Sequence, residues 1–222
     1  MAAFLANVGV NAGHSARSPL FDDGTFVVLP VPESERWRAP MLRLGDVPHL
    51  RPHAPRHWFR RPVHLDPDLT SAVPTYGDNC RRAGRAFSLR TAAPGDVIVF
   101  LARLHSNRGA AGFYLVGSLE VEDVLQDVTR DPGHGWWDSN AHVRRARARC
   151  RWDSFWIFKG GPTSRPFARA VPFTRSEAAA VFGDGWPWPD HRTELQTIGS
   201  HTRAVRRIEG AGEEWLRTAC RS

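Results

Sequence analysis

Two short motifs place hydrogen-bonding side chains in patterns suited to a nucleobase. Tyr76-Gly77-Asp78 brings a phenol ring and a carboxylate together, and Asn140-Ala141-His142 an amide and an imidazole. A base offers donors and acceptors in its plane and a π face above it. An Asn amide and an Asp carboxylate can therefore read a flipped base while an aromatic ring stacks on it. Trp136 and Trp137, just before Asn140, are candidates for that wall, with packing into their own loop as the alternative. Asn11 lies in a turn of Asn, Ala, Gly and His, residues that let a ligand approach the backbone closely. It completes a base-binding set of Asn11, Tyr76, Asp78, Trp136, Trp137, Asn140 and His142. If the chain is an enzyme, Asp78 or His142 would be the general acid or base.

A phosphate needs cations. Arg145, Arg147, Arg149 and Arg151 alternate with Ala146, Ala148, Cys150 and Trp152. On a strand the four guanidiniums would form one stripe at a repeat of about 6.5–7 Å. On a helix they would scatter around the axis, and Arg and Ala also favour a helix. The segment Phe158-Lys159-Gly160-Gly161-Pro162-Thr163-Ser164-Arg165 is not a Walker A loop, because its lysine precedes the glycines. Ser164 and Arg165 could still hold one phosphate.

Metal and nucleophile chemistry find less support. His49, His53 and His57 are spaced by four, but Pro48, Pro52 and Pro55 exclude the helix that would align them. His64 and Asp66 lie close by, and no second ligand pair has metal-like spacing. The chain has no Gly-x-Ser-x-Gly elbow, His-Glu-x-x-His or dinucleotide fingerprint. The expectation is no metal and no cofactor.

The whole-chain properties agree with a polyanionic partner. Of 30 basic residues 29 are arginine, the net charge is +7 and the isoelectric point is near 10.5. Guanidinium pairs bidentately with phosphate and stacks on bases. A mean hydropathy of −0.40 and the lack of a run near the ~18 apolar residues of a membrane span predict a soluble protein. Three widely spaced cysteines and no secretion signal place it in the cytoplasm.

These side chains need a scaffold, and the strands supply most of it. Apolar runs predict strands at Phe4–Val10, Thr25–Val31, Asp96–Leu101, Gly112–Val124, Ser154–Phe158 and Ala170–Phe173, with a bulge or bend at Gly117. Residues 46–75 carry six prolines and read as an irregular excursion across the surface, preceded by a short helix near Arg36–Leu44. Thr174-Arg175-Ser176-Glu177 is a capping box opening a helix, and Ser200–Ile208 and Glu213–Cys220 read as helical. The prediction is one domain, residues 1–222, of class α+β. Its expected core is a curled, mostly antiparallel β-barrel with peripheral helices and the proline-rich excursion.

The order of motifs resembles the third of the nucleotide modification associated domain families. The matching residues are Asn7-Val8-Gly9-Val10-Asn11-Ala12-Gly13, Ser18-Pro19-Leu20-Phe21, Asp23-Gly24-Thr25-Phe26 and Pro30-Val31-Pro32-Glu33. They continue with His64-x-Asp66-Pro67, Thr75-Tyr76-Gly77-Asp78, Pro94-Gly95-Asp96, Asn140-Ala141-His142 and Ser164-Arg165…Ala170-Val171-Pro172. The resemblance implies association with hypermodified DNA bases. Pro94–Phe100 followed by Phe113–Val124 is also similar to the barrel core of PUA-like domains such as EVE and ASCH modules, which grip a modified or flipped base. The chain departs from the family pattern at Lys159-Gly160-Gly161, where an acidic Gly-Asp pair is expected. The favoured function is recognition of a modified base, or a part in making one, with DNA favoured over a free nucleotide as partner. The alternatives are an enzyme acting on a nucleobase or nucleotide and a structural partner of a modification enzyme.

Overall fold

The computed structural model describes residues 1–82, 84–183 and 185–221. Its centre is a sheet of β1 (Ala3–Val8), β2 (Ser18–Leu20), β5 (Thr75–Asp78), β6 (Val97–Ser106), β7 (Ala111–Val128), β8 (Phe155–Gly160), β9 (Arg165–Pro172) and β10 (Arg206–Ile208). The remaining strands, β3 (Val31–Pro32) and β4 (Val63–His64), form a separate two-stranded sheet. The main path runs β10-β1-β6-β7-β8-β5, with β2 on β6 and β9 on β7. β1 and β2 lie parallel to β6, and the other pairings are antiparallel.

The α+β class and the mostly antiparallel sheet agree with the sequence reading, and the barrel does not. β10 and β5 end the path without pairing to each other, so the sheet stays open. The reason lies in β7. Its first half pairs with β6 and β9 and its second half with β8, so the two ends of the sheet diverge. The stretch behind the PUA-like expectation is the β6–β7 hairpin of this open sheet. Its register shifts where Phe100 faces Gly117, the predicted bulge.

Alternation along β1 fixes the layers. Phe4, Ala6 and Val8 enter a core with Tyr76, Ile98, Phe100 and Phe158 on one face. Ala3 and Leu5 enter a second core on the other, with Val99, Leu101 and Leu115. That second face is covered by α2 (Arg175–Phe182), α3 (Glu194–His201) and α4 (Ala211–Ala219), which contribute Ala178, Val181, Ile198 and Leu216. The capping box at Thr174 and Glu177 starts α2 as its sequence predicts. Residues 206–208, expected to be helical, instead pair with β1 as β10.

Other local expectations are corrected. Thr25–Val31 makes one isolated bridge, at Phe26, before β3, because its backbone groups bond irregularly to Pro19 and Val10 and to the Ser18 hydroxyl. The helix near Arg36–Leu44 is absent. Pro40 interrupts it, and only a 3-10 turn at Leu44–Asp46 forms. The proline-rich excursion carries two further 3-10 turns, Pro48–His53 and Arg56–Trp58. Leu44, Leu50, Trp58 and Val63 bury against Val10 and Leu29 in a core of their own. The arginine alternation lies on a helix, α1 (Ala141–Arg149), whose Val143 and Ala146 pack on Phe155 and Ile157.

His201 closes α3 with its ring centroid 4.6 Å from Phe182 and 4.4 Å from Trp186. Burial, with the Arg206 charge beside it, pushes its pKa from 6.5 down to about 4. The folded state therefore resists protonation that the unfolded chain accepts. This contribution to stability is complete above about pH 6.5 and is lost as the pH falls towards 4. His201→Phe is expected to show a smaller drop in melting temperature between pH 7.5 and pH 4.5 than wild type. Equal drops would refute the assignment.

Candidate functional site

β5 carries the first half of the site. Tyr76 is buried with its ring 5.1 Å from Phe100, and its hydroxyl donates to Asp78 Oδ2 at 2.8 Å. Arg85 Nε and Nη2 donate to the same oxygen at 3.1 and 2.9 Å, and the Asn79 N–H to Oδ1 at 2.7 Å. Burial raises the Asp78 pKa, but the Arg85 charge and these hydrogen bonds outweigh it, so the net shift is downward. Asp78 is thus a fixed anion, poorly suited to accept a proton.

The second half gathers three residues from two segments. His64 ends β4, Asp66 follows two residues later, and His142 opens α1. Their side chains are 18%, 2% and 9% exposed. His64 Nε2 lies 3.1 Å from His142 Nε2, and Asp66 Oδ2 lies 3.7 and 3.3 Å from those nitrogens. The Gly77 N–H donates to both Asp66 oxygens, at 3.1 and 2.9 Å. Asn140 caps α1 by accepting from the His142 N–H at 2.9 Å and donates to Thr75 Oγ1 at 3.2 Å, which ties the helix start to β5. Glu33 Oε1 meets His64 Nδ1 at 2.9 Å and Arg145 Nη1 at 3.6 Å. Arg145 Nη2 lies 3.3 Å from His142 Nδ1.

Burial sets the protonation of this cluster. It pushes the Asp66 carboxyl up to about 8 and the His142 imidazole down to about 4. The His64 pKa is lowered by burial and then by His142. Near neutral pH the floor therefore presents two uncharged imidazoles and a carboxyl that resists ionising.

These groups open onto a cleft of about 250 Å³, which Asn7, Gly9 and Arg145 also line. Asn7, Gly9 and Arg85 connect it to a neighbouring cleft of about 460 Å³. Arg85, Arg103 and Arg203 line that second space with Asn11 and Gln196, and no Asp or Glu among the described residues does. Arg103 Nε is buried without a hydrogen-bond partner. Gly9 has φ +74°, and a Cβ there would lie 2.7 Å from Val28 Cγ1, so backbone forms this wall.

A family model described as nucleotide modification associated domain 3 matches residues 3–221. The chain belongs to that family. Its name gives a nucleotide-modification-associated role. No curated protein and no solved structure matches the chain.

Within this family member, Tyr76, Asp78, His142 and Arg145 line one cleft. Asn140 lies behind it as the α1 cap, and Asn11 lines the arginine cleft. The other expected contacts line neither space. Trp136 donates to Asp123 at 3.2 Å and Trp137 to the Gly133 carbonyl at 3.0 Å, and both pack beside Phe155 and Val143. Ser164 Oγ accepts from the Glu120 N–H at 3.0 Å, and Arg165 donates to the Cys220 carbonyl at 3.3 Å. Arg147 pairs with Asp131 and Asp138, and Arg149 with Glu35, so the helix disperses the stripe over acidic partners. Lys159 pairs with Glu122 at 2.6 Å, away from both clefts.

Sequence reasoning missed Glu33, Arg85, Arg103 and Arg203. It saw His64 and Asp66 without their partner, His142. A signal was present, since two ligand-type residues at i and i+2 call for a third from elsewhere in the chain.

No helix among the described residues is long and apolar enough to cross a membrane.

Proposed function

We propose that the chain is an enzyme that modifies a nucleotide, either free or flipped out of DNA. The observation that carries this reading is the join between two unlike spaces. One has buried His64, Asp66 and His142 at its floor, and the other is lined by arginines without a carboxylate. Perturbed titratable groups converging in a cleft mark sites of chemistry more often than sites of simple binding. The arginine cleft supplies the cations a phosphate requires. A nucleotide with its phosphate there would extend its sugar and base past Asn7 and Gly9 towards the two imidazoles.

Recognition without chemistry is less well supported. Tyr76 spends its hydroxyl on Asp78 and its ring on the core, and the two tryptophans pack elsewhere. No free stacking wall from the expected set faces the cleft.

The test is mass spectrometry of nucleosides after incubating the protein with nucleotides and with DNA. A mass change is expected that His142→Ala abolishes. Selective binding with unchanged masses would establish a reader instead. In the same assay Arg203→Ala should weaken substrate binding about tenfold, as expected for one lost charge-assisted contact, and reduce its salt dependence. An unchanged salt slope would place the phosphate elsewhere.

A further inference from the structure

We propose that His64, Asp66 and His142 form a three-ligand site for a divalent first-row transition metal, with its remaining positions open to the cleft. The three ligand atoms are His64 Nε2, His142 Nε2 and Asp66 Oδ2, separated by 3.1, 3.7 and 3.3 Å. Ligands held at about 2.0–2.1 Å around a tetrahedral ion lie roughly 3.3–3.4 Å apart. The observed triangle straddles that edge length, so an ion fits at its apex with small side-chain adjustments.

The surroundings match what a metal site requires. Glu33 faces His64 Nδ1 at 2.9 Å. A carboxylate there holds the proton on Nδ1 and leaves the Nε2 lone pair directed at the ion. The Gly77 N–H bonds both Asp66 oxygens and fixes the carboxylate plane. Asn140 fixes the start of α1 and hence the position of His142. The cluster is the one group of three or more His, Cys, Asp or Glu among the described residues whose ligand atoms all lie within 4.8 Å of one another.

Arg145 adds a constraint. At 3.3 Å from His142 Nδ1 it favours a proton on Nε2, the tautomer that bonds His64 and holds no metal. Ligation moves that proton to Nδ1, displaces the Asp66 carboxyl proton to solvent and releases Arg145 to Glu33, which it already approaches at 3.6 Å. Two imidazoles and one carboxylate with open positions suit zinc or ferrous iron, and hard oxygen-seeking ions such as magnesium fit poorly.

Metal binding is measured directly and stands whether or not a nucleotide is the substrate. The full chain, stripped with a chelator, is loaded separately with zinc, cobalt(II) or anaerobic ferrous iron, desalted and subjected to elemental analysis. About one ion per chain is expected, with at least tenfold less in His64→Ala and His142→Ala. Glu33→Gln keeps a hydrogen-bond acceptor and should weaken retention about tenfold without changing the circular dichroism spectrum. Wild-type protein that retains none of the three metals overturns the proposal, as does a folded His142→Ala variant that retains as much as wild type. Should both histidine variants fail to fold, Glu33→Gln decides, and unchanged retention there counts against the site.

Discussion

Asp78→Ala is expected to destabilise the protein by about 3 kcal/mol, read as a fall in the urea midpoint at constant slope. The substitution removes more than a possible ligand contact. It leaves the buried Tyr76 hydroxyl without an acceptor, frees the Asn79 N–H and strands Arg85. Leaving one partner of a buried pair unsatisfied costs about 3–5 kcal/mol. Arg85 is 48% exposed and can recruit water, which keeps the effect at the lower end. Tyr76→Phe, which removes one hydroxyl and leaves the Asp78–Arg85 pair, should cost only about 1 kcal/mol. The contrast separates two roles for Asp78. If Asp78→Ala is no less stable than Tyr76→Phe, the carboxylate is not holding β5 to the Arg85 segment. It would then be free to read a ligand, the role first assigned to it from the sequence.

The strands at Phe4–Val8, Val97–Leu101, Phe113–Val124 and Phe155–Phe158 were legible because unbroken or alternating apolar runs leave little else for the chain to do. Gly117 was legible as a bulge for a similar reason. The arginine alternation was not, because Arg-Ala repeats satisfy both periods. The deciding residues are Asn140, which caps, and Val143 and Ala146, which meet Phe155 and Ile157 at helical spacing. That contact depends on β8, which cannot be seen from residues 141–151 alone. Barrel closure failed as an expectation for the same kind of reason. Strand count and curvature are local, whereas β7's change of partner along its length is a property of the assembled sheet.

The site was half legible. Tyr76, Asp78 and His142 stood out because their types are useful and their motifs are compact. Their grouping is set by β5 pairing with β8 and by Asn140 bonding Thr75 across 65 residues. Arg85, Arg103 and Arg203 were hidden among 29 arginines. Arg85 is marked by its pair with Asp78, and Arg103 and Arg203 by a cleft that no Asp or Glu among the described residues lines, properties of space that composition does not record.

Gly77→Ala should inactivate the site while sparing the fold, and it tests the assembly most sharply. Gly77 is the point where β5, the His64–Asp66 segment and α1 come together. A Cβ there would lie 2.6 Å from His142 Cδ2, 3.1 Å from Asn140 Oδ1 and 3.3 Å from Asp66 Oδ2. The first distance is too short for any carbon pair, so His142 must move, and Asn140 and Asp66, both held by hydrogen bonds, must give by a few tenths of an ångström. Misplacing a reacting group by about 1 Å can cost on the order of a hundredfold in rate. Overpacking of this kind destabilises by only about 1–3 kcal/mol. Nucleotide conversion should therefore fall about a hundredfold, and metal retention should fall with it, while the far-UV circular dichroism spectrum stays that of wild type. Binding in the arginine cleft should survive, because Arg103 and Arg203 lie on β6 and beyond α3, away from the displaced imidazole. Loss of conversion with phosphate affinity retained would show that the two clefts do separate work. Unchanged conversion would mean that the reacting atoms do not meet His142, whatever the arginines hold.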